Sequence, residues 1–318
     1  MKVPLIAALL ILHWMPLQGQ QQNSKVKSLK ITILSTMLAD EGIGEWGFSA
    51  LVEVDGRKIL FDTGARPETV LSNIKDLKID LSDVTEIFIS HNHQDHTGGL
   101  LRLREELGKK NPGALIVAHA GEGIFYPRVG AKGNTSYILE SKPKFEAMGG
   151  KFEIHHEPKE IYPGVWISGP VPRIHDERNW NGTGKLVMPN GDVVEDKLPE
   201  DQSLIFDTEQ GVVILSGCGH AGIVNTVEYA QKFLHKTTTE TLIGGFHLFN
   251  LSDDKINWTA GKLKAYGVEK IIGAHCTGIN AVFALREKIG LDRKTAVVGA
   301  VGSYFDLANG ISPGQIAK

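Results

Sequence analysis

The stretch that decides the fold is Ser90-His91-Asn92-His93-Gln94-Asp95-His96-Thr97-Gly98-Gly99. The apolar, β-branched residues just before it, 84–90, predict a buried strand that ends where the histidines begin. Because residues two apart on a strand share a side, His91 and His93 point the same way, and the following turn can bring Asp95 and His96 to the same place. Such a nitrogen and oxygen set suits zinc, iron, manganese or cobalt. The alternative is a polar loop whose histidines only bind water, and the spacing favours the metal site.

Further histidines follow other predicted strands. His220 lies in Gly217-Cys218-Gly219-His220, between a predicted strand, 212–216, and a predicted helix, 223–234. His247 and His275 also come directly after strands, at 241–243 and 270–272. Because loops at one edge of a sheet are where sites are built, we expect these side chains to converge with those of residues 91–96. His220 is predicted as a metal ligand, whereas His247 is either a ligand or a residue that faces the substrate or supports a ligand.

The His-x-His-x-Asp-His pattern resembles the signature of the metallo-β-lactamase superfamily, which implies a four-layer αββα sandwich with the metal site at one edge of two facing sheets. The α+β class with this sandwich is therefore the predicted fold. A wider set of motifs is similar to the branch typified by the 7,8-dihydropterin-6-yl-methyl-4-(β-D-ribofuranosyl)aminobenzene 5′-phosphate synthases. These motifs are Asp62-Thr63-Gly64, residues 91–99, Asp201-Gln202, residues 217–222, residues 244–248 and residues 275–278. The resemblance implies that one or two divalent ions, zinc first and iron or manganese as alternatives, are bound by His91, His93, Asp95, His96, His220 and His275.

Two residues near these ligands have open roles. Asp62 ends a predicted strand and either forms a turn or accepts a proton from a ligand imidazole, and the resemblance favours support of the metal site. Cys218 stands where most hydrolases of the superfamily place a bridging aspartate, which leaves one or two ions open. The chain has two cysteines, Cys218 and Cys276, and we expect free thiols near the metal rather than a disulfide.

The predicted function is that of a metal-dependent hydrolase, in which a metal-bound hydroxide attacks an ester, lactone, phosphoester or related small substrate. One ion is assigned to His91, His93 and His220 and a second to Asp95, His96 and His275, with Asp95 also accepting a proton in turnover. For an anionic substrate, Arg173 offers a charged fork, and Thr277 and Gly278 offer backbone N–H groups at a helix start. The alternatives are a metal-dependent transferase resembling the synthases, and a non-catalytic binding protein with a decayed site.

The composition and the N-terminal residues of the chain limit the functions that can be predicted. The 318 residues carry 34 basic and 37 acidic side chains, a formal charge of −3, so no basic track for nucleic acid is expected. An apolar run, residues 4–15, after Lys2 predicts a signal peptide over residues 1–19, followed by a mobile leader over residues 20–28. We therefore expect one domain, residues 29–318, in a periplasmic or secreted protein with no membrane span and a small-molecule substrate. Oligomeric state is not readable from the sequence.

Overall fold

A computed structural model describes residues 25–130, 133–177, 179 and 184–317. The strands are β1 Leu29–Ser35, β2 Ser49–Val54, β3 Arg57–Phe61, β4 Glu86–Phe88, β5 Val117–Gly121, β6 Arg128–Gly130, β7 Gly133–Thr135, β8 Lys151–His155, β9 Lys159–Tyr162, β10 Val165–Ile167, β11 Lys185–Val187, β12 Val193–Glu195, β13 Ser203–Asp207, β14 Val212–Ser216, β15 Thr239–Gly244, β16 Val268–Gly273, β17 Ala296–Val298, β18 Tyr304–Asp306 and β19 Gly310–Ser312. The helices are α1 Thr69–Asp76, α2 Gln94–Thr97, α3 Leu100–Lys110, α4 Tyr137–Ala147, α5 Ile223–Leu234, α6 Asp253–Ala265 and α7 Ile279–Ile289.

Two large sheets and one small sheet organise these elements. The first sheet has the strand order β19-β18-β1-β2-β3-β4-β5-β8, and the second has the order β17-β16-β15-β14-β13-β10-β9. In each sheet, antiparallel strands adjoin a parallel set, β3-β4-β5-β8 in the first and β14-β15-β16-β17 in the second. Since parallel strands end at the same edge, the loops after them gather there. The small sheet has the order β12-β11-β6-β7.

The buried side chains form three layers of core. One cluster joins the facing sides of the two large sheets and contains Phe61, Phe88 and Phe206. A second packs the other face of the second sheet against α5, α6 and α7, and a third packs the first sheet against α1, α3 and α4. Because each sheet is covered on both faces, the order of layers is helix, sheet, sheet, helix. The predicted four-layer sandwich is confirmed.

Most of the predicted elements are present. The sequence predicts a strand over residues 29–35, helices over residues 223–234 and 279–289, and turns at Asp55-Gly56 and Asn190-Gly191. β1, α5 and α7 have these bounds, and both turns join antiparallel strand pairs. Residues 121–151, rich in Gly and Ser with no clear period, predict a long loop over the site. This prediction is wrong, because these residues contain the antiparallel strands β6 and β7 and the helix α4. Pro143 inside α4 weakens the helical signal, whereas the Ser136 side chain caps the helix by accepting from the Leu139 N–H.

The predicted signal peptide, residues 1–19, lies outside the described residues, as do positions 20–24 of the predicted mobile leader. Val26, within the predicted leader, is buried in the core between the sheets, and its N–H donates to the carbonyl of Asp207, 2.8 Å away. Across the part of the chain that the structure describes, the helices are too short or too polar to cross a bilayer.

Candidate metal centre

Three imidazoles from both halves of the chain form the first group of potential metal ligands. His91 and His93 follow β4, and His220 follows β14. One ring nitrogen of each lies within 4.8 Å of the others. The ring centroids of His91 and His220 are 4.7 Å apart, and those of His93 and His220 are 4.9 Å apart. The structure thus brings together the three residues that sequence analysis assigned to one ion.

In two of these rings, those of His91 and His220, Nδ1 has a hydrogen-bond acceptor, which fixes how Nε2 of the same ring can act. Nδ1 of His220 is 2.5 Å from the carbonyl oxygen of Asn179, so this nitrogen must carry the proton. Nδ1 of His91 is 2.9 Å from Oγ of Ser90, whose hydroxyl donates to Asp62 and therefore accepts from the ring. Nε2 of His91 and of His220 then carries a lone pair, and both atoms are buried with no hydrogen-bond partner among the described residues. Because unpartnered buried polar atoms are costly, a cation at this place fits the donor set.

The second group contains Asp95, His96 and His275, again with one ligand atom of each within 4.8 Å of the others. Nε2 of His275 lies 3.3 Å from Nε2 of His96 and 3.3 Å from Oδ2 of Asp95. Nδ1 of His96 donates to Oδ2 of Asp62, 2.7 Å away, so its Nε2 faces the group. His91, His96, His220 and His275 are buried, whereas His93 and Asp95 keep some exposure and mark the side open to solvent.

Cys218 lies between the two groups. Its Sγ is 3.1 Å from Nε2 of His96, and it also forms a potential ligand group with His91 and His96. Sγ of Cys276 is 3.2 Å away, and both cysteines are free and buried. Gly217 allows the turn that carries Cys218 to pack closely against Ser90, since a Cβ at position 217 would stand 2.1 Å from Oγ of Ser90. The free thiols match the expectation from the sequence, and a sulfur occupies the place between the two triads.

Burial and charge set the protonation of the cluster. Burial, aided by neighbouring imidazoles, holds the pKa of His91 and His220 well below 6.5. Burial lowers the pKa of His93 to about 4 and also lowers that of His275. Although burial opposes it, the carboxylates of Asp62 and Asp95 raise the pKa of His96 to about 9. The pKa of the Asp95 carboxyl is below its usual range because the His96 and His275 rings outweigh its burial. Four neutral imidazoles and a carboxylate are therefore available to a cation at pH 7.

The other predicted site residues have mixed outcomes. Asp62 is fully buried, and Oδ1 accepts from the N–H of Ser90 while Oδ2 holds His96, so it supports the ligands. His247 joins neither triad within the described residues, but its ring centroid lies 4.6 Å from that of His220. Burial lowers the pKa of His247 to about 4. Of the two roles predicted for His247, its position beside His220 fits a residue that supports a ligand or faces the substrate, and not a metal ligand.

Two of the three residues predicted to bind an anion donate hydrogen bonds within the protein. The N–H of Thr277 donates to the carbonyl of Ala274, and its hydroxyl donates to that of Gly244, so Thr277 offers no free donor. Arg173 donates to the carbonyl oxygens of His220, Lys197 and Leu198, which assigns it to holding the His220 turn. Gly278 has φ +82, and a Cβ there would meet Cα of Phe249 at 2.8 Å. Gly278 therefore allows Phe249 to approach the site.

Two exposed aromatic residues that the sequence analysis missed flank the cluster. The ring centroid of Trp46 lies 5.0 Å from that of His275 and 5.3 Å from that of Phe249, which in turn lies 5.3 Å from that of His247. Trp46 is 47% exposed and Phe249 is 48% exposed. We call Trp46, Phe249 and His247 the aromatic wall. The buried carboxylate of Glu45 holds this loop by accepting from the N–H groups of Ala65 and Arg66, a contact that no local sequence signal predicts.

Comparison with known proteins decides the family. A family model described as the metallo-beta-lactamase superfamily matches residues 47–231. A protein of Methanocaldococcus jannaschii is 33% identical over 294 residues, which cover 87% of this chain and 97% of that protein. The chain belongs to the metallo-beta-lactamase superfamily. Members of this superfamily are enzymes, hydrolases or transferases, and they typically bind divalent metal ions.

The relatives differ in their described activities. The 33% identical protein is named 7,8-dihydropterin-6-methyl-4-(beta-D-ribofuranosyl)-aminobenzene-5'-phosphate synthase, so the predicted branch of the metallo-beta-lactamase superfamily is confirmed. A crystal structure of a metal-dependent hydrolase of the beta-lactamase superfamily has 27% identity and a TM-score of 0.67, covering 82% of this chain and 93% of that chain. Zinc-bound PqqB from Methylobacterium extorquens, at 15% identity and a TM-score of 0.52, covers 87% of this chain and 100% of that chain and shares the fold.

Proposed function

We propose that this protein is a metal-dependent hydrolase that binds two divalent ions, with zinc as the preferred ion. The observation that carries the proposal is the pair of adjacent triads. One has three imidazoles, His91, His93 and His220, and the other combines Asp95 with His96 and His275. In two-ion sites the ions lie about 3.5–4 Å apart. The ring centroids of His91 and His96, one from each triad, are 4.2 Å apart, and both residues form a group with Cys218, so the triads are close enough for such a pair.

The residues of the site divide the work between holding ions and orienting ligands. A bound divalent ion of this kind lowers the pKa of water to about 7 and polarises a carbonyl or phosphoryl oxygen. Asp62 orients His96 directly and His91 through Ser90, and the Asn179 carbonyl orients His220. The lowered pKa of Asp95 suits a metal ligand better than a proton acceptor, so its role in proton transfer stays a prediction.

The aromatic wall supports a substrate with a planar ring. Trp46 and Phe249 present about half of their surface to solvent next to His275 and His247. Aromatic faces bind other rings by offset or edge-to-face contacts. We therefore propose an ester, lactone or phosphoester that carries an aromatic group near the bond to be cleaved.

Group transfer is the second candidate, because the 33% identical relative is named a synthase and the match spans 97% of its length. The product in that name joins a dihydropterin to a ribofuranosylaminobenzene phosphate, so both parts contain rings. The same wall and the same ligands serve a reaction in which the amine of a second ring-bearing substrate attacks in place of water, loses its proton, and displaces the leaving group that water would displace in hydrolysis.

An oxygen-labelling assay separates the two candidates. The zinc-loaded or manganese-loaded protein is incubated in H₂¹⁸O with aryl esters, lactones and phosphodiesters. Separately, it is incubated with a ribofuranosylaminobenzene phosphate and a dihydropterin that carries a phosphate-type leaving group on its 6-methyl carbon. One ¹⁸O atom per turnover in a cleaved product supports the hydrolase. A condensed product without label, and no cleavage in the panel, contradicts it and supports transfer. Metal content below a tenth of an equivalent in metal-replete protein contradicts both and favours a decayed binding site.

A further inference from the structure

A second group of imidazole and carboxylate side chains lies on the first sheet, outside the candidate centre. Glu86 is on β4, His119 on β5, and Glu153 and His155 on β8. His119 pairs in register with Phe88, whose ring belongs to the core between the two large sheets. Tyr162 of β9, in the second sheet, donates to Glu86 at 2.6 Å. The group therefore faces the second sheet, at the edge strand β8.

Three of these side chains have the spacing of metal ligands. Nδ1 of His119 is 3.0 Å from Nε2 of His155 and 3.8 Å from Oε2 of Glu153, and the three ligand atoms lie within 4.8 Å of one another. His119 and His155 are each only 4% exposed. Ligand nitrogens bound to zinc at 2.0–2.1 Å in a tetrahedron stand about 3.3 Å from one another, so little movement is needed.

The surroundings resemble the outer shell of a metal site. Nε2 of His119 is buried and has no hydrogen-bond partner among the described residues, yet it lies 3.8 Å from Oε2 of Glu86. A metal-bound histidine commonly turns its other ring nitrogen to a carboxylate in this way. Lys151 engages Oε1 of Glu153, which leaves Oε2 facing the imidazoles. Burial, together with the neighbouring charge of His119, lowers the pKa of His155 to about 4, so this ring keeps a lone pair at pH 7.

We propose that His119, Glu153 and His155 bind a divalent transition-metal ion, of which zinc is the best fit, and that this ion fastens β8 to β5. The ion replaces the single hydrogen bond between the two histidines with three bonds to neighbouring strands. Glu153 is 36% exposed, which gives the ion a path from solvent and leaves a position for water. We assign the ion a structural role. An ion that binds the folded state and not the unfolded chain stabilises the folded state by mass action. The proposal does not rest on the activity proposed for the main centre.

Zinc and cobalt titrations test this site in the full chain. To remove the main centre, His91→Ala and His275→Ala are combined as a background, and His155→Ala or His156→Ala is then added. His156 is the matched control, because it is the next residue, is exposed and pairs with Glu122 instead. The background and the His156→Ala protein should bind one equivalent of Zn²⁺, give a cobalt absorption band, and show a thermal midpoint raised by zinc. The His155→Ala protein should lose all three.

A second variant keeps the test decisive if His155→Ala does not fold. Glu153→Gln keeps the volume of a partly exposed side chain and removes the charged ligand oxygen. We expect it to weaken zinc binding at least about tenfold. Equal zinc affinity in Glu153→Gln and His156→Ala, or absence of a bound equivalent from the background protein, would overturn the proposal and leave a plain hydrogen bond between His119 and His155.

Discussion

Oδ2 of Asp62 lies 2.7 Å from Nδ1 of His96 and also accepts the hydroxyl of Ser90, 2.7 Å away. Because Ser90 in turn accepts from His91, one buried carboxylate orients an imidazole in each triad. The two candidate ion sites therefore share a support that comes from a single turn after β3, far from both histidines in the sequence.

The first prediction concerns this support. Asp62→Asn should weaken metal binding by roughly 10–100-fold, because an amide holds the His96 proton less strongly than a carboxylate does. Asn tolerates the left-handed backbone at this position, φ 50, so strain does not confuse the result. Chelator competition measures the affinity, and the exposed Asp83→Asn is the control. Equal affinities in the two variants would contradict the role given to Asp62.

The second prediction concerns the ligands themselves. His91→Ala and His275→Ala should each lose metal from the candidate centre, lose activity and keep the fold, because each removes a ligand side chain of the centre and not a side chain of the apolar core. His235→Ala is a matched control for His275→Ala, since φ is 53 at His235 and 47 at His275 and both changes carry the same backbone cost. Metal analysis and circular dichroism give the readouts. Full metal content in either variant would remove that residue from the ligand set.

The third prediction concerns the aromatic wall. Trp46→Ala or Phe249→Ala should raise KM for a ring-bearing substrate about 2–12-fold with little change in kcat, since an aromatic pair contributes about 0.5–1.5 kcal/mol. Phe283→Ala, which removes a similarly exposed ring on α7 that packs against Arg286, should leave KM unchanged. The comparison uses aryl and alkyl forms of one substrate. An equal loss with both forms would show that the wall does not recognise the ring.

The fourth prediction concerns pH. Burial raises the pKa of Glu177 from 4.5 to about 7, although the N–H groups of Asn225 and Val224 oppose this. Because the pKa of Glu177 is higher in the folded state than in the unfolded chain, its contribution to stability is fully present below pH 4.5 and is lost as the pH rises toward 7. Relative to Glu177→Gln, the wild-type protein should therefore lose about 1–3 kcal/mol of unfolding free energy across this window. Urea denaturation at several pH values checks it, with the exposed Glu287→Gln as control. Parallel pH curves for wild type and Glu177→Gln would contradict the prediction.

The fifth prediction concerns export. In a bacterial host, the full chain should appear outside the cytoplasm with its first 19 residues removed, as intact mass would report. Leu9→Arg interrupts the apolar run and should keep the chain in the cytoplasm. Uncleaved wild-type protein in the cytoplasm would show that residues 1–19 are not a signal peptide.

The sequence predicts the layers and the strand ends well, because local patterns carry that information. The apolar runs before His220 and His275 stop at turns that contain glycine, the run before His91 stops at a polar turn, and α5 and α7 have the predicted bounds. α4 was missed because Pro143 interrupts its pattern.

Contacts between distant residues account for the rest. The Asn179 carbonyl reaches His220 across 41 positions, and His119 meets His155 across 36. Trp46 lies in the loop between β1 and β2 of the first sheet and Phe249 in the loop after β15 of the second, so only the folded chain places them in one wall. No periodic pattern in the local sequence predicts these contacts.

Each triad mixes residues from two segments of the chain. His91 and His93 come after β4 in the first sheet, whereas His220 comes after β14 in the second, and His275 joins Asp95 and His96 in the same manner. Neither half of the polypeptide therefore contains a complete set of metal ligands. Splitting the gene between β8 and β9 would yield two fragments without a working centre, and only their reassembly would restore it.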